Sequence, residues 1–239
     1  MVKQMVEGSV RPVVANSPRA VVIELEAVAV DGRRMLYEAM KEAIGDKEID
    51  LSPYVFSRLC LDCSHRDSVS AVFEASGKKY RAEDRVVERM LQGVREMLAK
   101  PVPQIRPDAR QLLLSAAAQG RSLGALSYLG KTEAAALAGN LGLDELGVHV
   151  LSYPCDDKPF PSVDGWLTLA REVGVTATGC VAVTTSSIAC RSALAAHMWA
   201  VVVPDDFTAF QDFGGADFVA DTLDEEAIQR TLALLELPR

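Results

Sequence analysis

Glu24-Leu25-Glu26 closes an apolar run that begins at Ala20, and it sets two carboxylates one residue apart. On an extended strand, residues i and i+2 point to the same side, so both acids share one. At about 4 Å and an effective dielectric near 20, two such charges repel by roughly 4 kcal/mol. A metal ion, a cationic ligand or solvent has to relieve that repulsion. Further along, Ser127 follows Leu126, Lys158 follows the apolar run ending near Leu151, and Thr184, Thr185 and Ser186 follow Val183. Hydroxyls and an ammonium thus stand just past segments that read as strands. Beside helix N-termini, such groups suit a phosphate.

The elements that must position these residues are legible from hydrophobic patterning. Beyond Pro107 the spacing predicts helices over 109–120, 132–141, 166–173 and 189–198, alternating with strands over 123–126, 148–151, 181–183 and 199–203. Continuous Val-rich strands alternating with helices make a parallel sheet covered on both faces. In such a sheet ligands gather outside the carboxyl ends of the strands. Residues 33–99 read as helical instead. Met35, Leu36, Ala39, Met40, Ala43 and Ile44 share a face, Gly45 stops that helix, and Ser52-Pro53 starts another with Ser52 as N-cap. Val86, Val87, Met90, Leu91, Val94, Met97 and Leu98 repeat the spacing in a third. The expected fold is α/β: an N-terminal arm over 1–18, a Rossmann-like core over 19–32 and 100–239, and an inserted helical cap over 33–99.

Composition narrows the partners. With 25 Lys+Arg against 33 Asp+Glu, the 239-residue chain carries a net charge of −8, which argues against a nucleic-acid backbone or an anionic membrane as main partner. A small molecule or a protein fits better. The first ten residues lack the apolar core of a signal peptide, and no segment reaches the roughly 20 apolar residues of a membrane span; the expected location is cytoplasmic. Five cysteines, at 60, 63, 155, 180 and 190, are odd in number and sit mostly in apolar runs, so they read as reduced thiols. Cys60, Cys63 and His65 form a metal half-site in spacing, but no second cluster completes four ligands, and no metal is assigned.

In order and interval these segments resemble the haloacid dehalogenase (HAD) superfamily, in its phosphatase and beta-phosphoglucomutase branch with a helical cap after the first strand. The likeness covers about 18 to 230. Ala20–Asp31 matches the first motif, an apolar strand followed by Asp-x-Asp-Gly. Leu126-Ser127-Tyr128 matches the second, whose Ser or Thr binds the phosphoryl oxygen. Lys158-Pro159-Phe160-Pro161, continued by Asp164-Gly165-Trp166-Leu167, matches the third, with Ser162-Val163 as an extra pair. Val181–Ser186, continuing to Arg191-Ser192-Ala193, matches the frame of the fourth, and Gly215–Val219 with Leu223-Asp224-Glu225 looks like the last strand and turn. The resemblance implies catalytic positions at Glu24, Glu26, Ser127 and Lys158, and a small phosphorylated ligand bound by Ser127, Tyr128 and Lys158. Active members also use Mg²⁺.

The acidic positions depart from that pattern. Active relatives place an Asp nucleophile first, an Asp acid–base second and acidic Mg²⁺ ligands in the fourth motif; here these are Glu24, Glu26 and the pair Thr184, Thr185, and Ala27 replaces the glycine after the second Asp. One added methylene displaces a carboxylate by about 1 Å, which can cost on the order of 10²-fold in an oriented displacement. Neutral threonines leave Mg²⁺ fewer charged anchors. The expectation is a HAD-like protein with hydrolase chemistry lost or severely reduced, retained for binding a ligand or protein. The alternative is an active Mg²⁺-dependent phosphatase or phosphomutase on a small phosphorylated metabolite; dehalogenation is a third option. The simplest reading of Glu24 and Glu26 alone, a wet strand face, conflicts with a doubly covered sheet. Mg²⁺ or an ion pair with Lys158 could neutralise them. Thr184 and Thr185 read as strand-end residues, and His197 as a surface cap where the family has a helix-ending glycine.

Overall fold

The computed structural model describes residues 18–45, 49–61, 64–78, 83–99, 104–154 and 160–238. Lys158, Cys63 and Cys155 therefore lie outside the described residues, as does most of the expected N-terminal arm. Six parallel strands form one sheet: β1 (Ala20–Glu24), β2 (Ser122–Ser127), β3 (Val148–Ser152), β4 (Cys180–Thr184), β5 (Trp199–Val202) and β6 (Phe218–Val219), in the order β3-β2-β1-β4-β5-β6. Each expected strand is present within a residue or three of its bounds. The order reverses between β1 and β4, where doubly wound sheets open a crevice for ligands.

Among the described residues, five helices cover the sheet. Val21 and Ile23 point into one core with Leu112, Leu137 and Ile228, on α5 (Pro107–Ala118), α6 (Lys131–Asn140) and α9 (Glu225–Leu234). Ala20 and Val22 point into the other with Trp166, Leu169 and Ala193, on α7 (Val163–Glu172) and α8 (Ser187–Ala195). Both faces of every central strand are dry, which is why these strands are continuous apolar runs. Ser162, an extra residue in the motif comparison, caps α7: its hydroxyl accepts from the Gly165 amide at 3.1 Å.

Among the described residues, four helices stand between β1 and α5: α1 (Gly32–Ile44), α2 (Pro53–Leu59), α3 (His65–Ala75) and α4 (Glu83–Ala99). Gly45 ends α1 at φ 59, and Ser52 caps α2 by accepting from the Val55 amide at 3.3 Å, as the sequence suggests. The third expected helix is α4. The patterning gave no separate helix for α3, whose only fully buried apolar side chains are Val69, Val72 and Phe73, too few for a repeating stripe. His197 adopts φ 63, alone in this respect among the described non-glycine residues, and lies exposed after α8. No helix among the described residues is long and apolar enough to cross a membrane.

Candidate functional site

The first strand stops at Glu24, which corrects the strand geometry expected for the acidic pair. Glu24 is the last β1 residue with a partner, Leu126 of β2, while the register with β4 ends one residue earlier at Ile23 and Val183. With no strand left to pair with, Leu25–Ala29 satisfies its backbone in one π-helical turn, a form common at functional sites. The Ala29 carbonyl accepts from the Arg106 amide at 2.8 Å, tying the turn to the start of α5. Gly32 lies against its near side: a Cβ there would sit 2.4 Å from the Glu26 carbonyl oxygen. Glu26 therefore reaches the site from a turn rather than from the same strand face as Glu24.

Both carboxyls are buried, at 3 % and 2 % exposure. Glu24 Oε1 accepts from the Thr185 backbone N–H at 3.0 Å. Glu26 takes the Ser127 hydroxyl on Oε1, and the Tyr128 backbone N–H donates to Oε2 at 3.4 Å. Desolvation pushes both acids up to about 7 from an ordinary 4.5. For Glu24 the Arg33 charge and the Thr185 amide pull the other way; for Glu26 the Ser127 bond does. Ser127 is fully buried and, with its hydroxyl on Glu26, is not among the residues lining the cavity beside it.

Two further groups complete the site, and sequence reasoning missed both. Arg33 Nη1 donates to Thr185 Oγ1 at 2.9 Å and forms an ion pair with Asp205. One residue on, Arg34 pairs with Asp206 at 2.8 Å. Two arginines in the first turn of a helix oppose its dipole, and Asp205-Asp206 lies just beyond β5. That anomaly, together with the strand-end rule applied to β5, was the available signal. Its own loop fixes Asp205: the Asp205 backbone N–H donates to the Thr208 hydroxyl, and its Oδ1 accepts from the Phe207 backbone N–H, both at 2.9 Å. Thr184 is no part of the cluster: its hydroxyl donates to the Val201 carbonyl inside the sheet at 3.3 Å.

A cavity of about 80 Å³ opens between these strand ends and the inserted helices. Glu24, Glu26, Arg33 and His65 are its acidic and basic lining; Leu36, Cys60, Tyr128 and Phe160 are among the rest. Pockets for drug-sized ligands run to roughly 300–1,000 Å³, so the space suits waters or a small ion.

The donor set does not fit Mg²⁺. That ion demands near-octahedral oxygen ligands, yet both Glu26 oxygens, one Glu24 oxygen and the Thr185 hydroxyl are engaged by protein donors, one of them a guanidinium. No cluster of three or more His, Cys, Asp or Glu able to hold a metal occurs among the described residues.

No family model and no curated protein sequence matches the chain. Solved structures do. CbbY from Rhodobacter sphaeroides, solved in complex with phosphate, superposes with a TM-score of 0.71 at 17 % identity, over 92 % of this chain and 100 % of that one. Beta-phosphoglucomutase from Clostridium difficile gives 0.71 at 18 % identity, over 90 % and 97 %. A conserved haloacid dehalogenase-like protein of unknown function from Agrobacterium tumefaciens gives 0.73 at 16 % identity, over 91 % and 100 %. At these identities the likeness establishes the fold.

Proposed function

Starting from a haloacid dehalogenase fold whose polar site is filled by its own side chains, we propose that this protein has lost hydrolase chemistry, or nearly so, and serves to bind a small ligand or a protein partner. The observation that carries this reading is the Glu26 carboxyl on the Ser127 hydroxyl and the Tyr128 amide. If Ser127 holds the place of the family's phosphoryl-binding hydroxyl, Glu26 lies where a substrate oxygen would go. A carboxylate oxygen is a fair mimic of a phosphoryl oxygen, and the extra methylene of glutamate supplies the reach. An incoming phosphate dianion would have to displace it and then meet Glu24 with no metal between them. A small phosphorylated ligand, or phosphate itself as in the CbbY structure, would then bind only with Glu26 displaced.

One observation favours the alternative of an active phosphatase or phosphomutase. Both carboxyls titrate near neutrality, as a general acid or base should. Turnover of small phosphate esters with Mg²⁺ separates the two. The proposal expects none above background. A kcat of order 1–10³ s⁻¹ that Glu24→Ala abolishes would overturn it.

A further inference from the structure

Arg33 lines the same cavity as Glu24 and Glu26, and its guanidinium holds polar groups that a metal ion would otherwise claim. Its side chain is 12 % exposed. It contacts the Thr185 hydroxyl, at a position where the resemblance puts an acidic Mg²⁺ ligand, and it pairs with Asp205 beyond β5. Its charge also favours the ionised form of Glu24. We propose that the Arg33 guanidinium is a resident cation, covalently standing in for the divalent ion, so that the site excludes Mg²⁺ and Mn²⁺. This deepens the reading above and rests on it for the role assigned to Thr185.

Three physical points support the exclusion. Arginine keeps its proton at any working pH, so its charge cannot be vacated as a lysine's can. A guanidinium consumes lone pairs on Thr185 and Asp205 that a metal would require, and a dication beside it meets twice the repulsion of two unit charges. The N-terminus of α1, from which Arg33 projects, adds partial positive charge. Arg34 engages Asp206 in the same manner, which leaves Asp205 to Arg33.

Mn²⁺ titration of the purified full chain, read by the paramagnetic resonance signal of free Mn²⁺ and by melting temperature, tests this. The wild type should leave Mn²⁺ free and melt at an unchanged temperature. Arg33→Ala should bind it, with a rise of about 5 °C near saturation, and Arg33→Ala combined with Asp205→Asn should lose that binding. Wild-type binding that Glu24→Gln removes would overturn the proposal. So would a folded Arg33→Ala that binds nothing. Should Arg33→Ala fail to fold, Arg33→Gln keeps length and a donor for Asp205 without charge and is read the same way; the wild-type titration decides by itself if neither folds. Metal binding without turnover defeats the resident cation and leaves the lost chemistry standing, whereas metal-independent turnover does the reverse.

Discussion

Burial, opposed only in part by hydrogen bonds and by Arg33, holds the Glu24 and Glu26 carboxyls near 7. Between about 4.5 and 7 the folded protein binds more protons than the unfolded chain, so stability falls as pH rises through that window. A raise of that size is worth on the order of 3 kcal/mol per group. Melting temperature should accordingly decline from pH 5 to pH 8, and Glu24→Gln or Glu26→Gln should each flatten the decline. Removing the Ser127 hydroxyl takes away a donor to a buried carboxyl. Ser127→Ala should cost about 1–3 kcal/mol in urea unfolding at pH 8, and less at pH 5. Glu24 and Ser127 were legible because each ends an obvious apolar strand, and Glu26 because it stands two residues beyond Glu24. Arg33 and Asp205 were not, since they meet across 172 residues and neither belongs to a motif.

The elements were easier to read than the joints between them. Strands and helices after Pro107 follow from periodicity and caps, but the segment 20–30 carries no Gly, Pro or Asn to signal a turn where β1 gives way to the π turn. Gly32 is the trace of that joint. Gly32→Ala should destabilise the fold by more than about 2 kcal/mol, because backbone and not a flexible side chain blocks the new Cβ; chemical denaturation measures it. His197 points the other way. A left-handed residue with a Cβ costs about 1 kcal/mol, so His197→Gly at φ 63 should raise stability by roughly that amount. On the loop after β5, Phe207 meets the rings of Tyr37 and Phe56 at 5.5 and 5.4 Å, fastening the inserted helices to the strand ends. Phe207→Ala should cost about 3–5 kcal/mol and speed amide exchange in α1 and α2.

At the scale of the molecule, the sheet order and the helical insertion place one crevice at the ends of β1, β2 and β4, and the chain has filled it. Glu26 takes the Ser127 hydroxyl and the Tyr128 amide, Arg33 supplies the positive charge, and the remaining cavity measures about 80 Å³. Restoring aspartates alone leaves the guanidinium in place. Glu24→Asp, Glu26→Asp and Thr185→Asp together should stay inactive on phosphate esters, with turnover emerging only when Arg33 is neutralised as well. The most direct test of the self-filled site uses the wild type: melting temperature titrated with Mg²⁺, with inorganic phosphate, and with both. A self-filled site gives no shift in any arm at pH 7.5. A joint rise of several degrees that neither ion gives alone would contradict it, because only an open metal–phosphate site produces that.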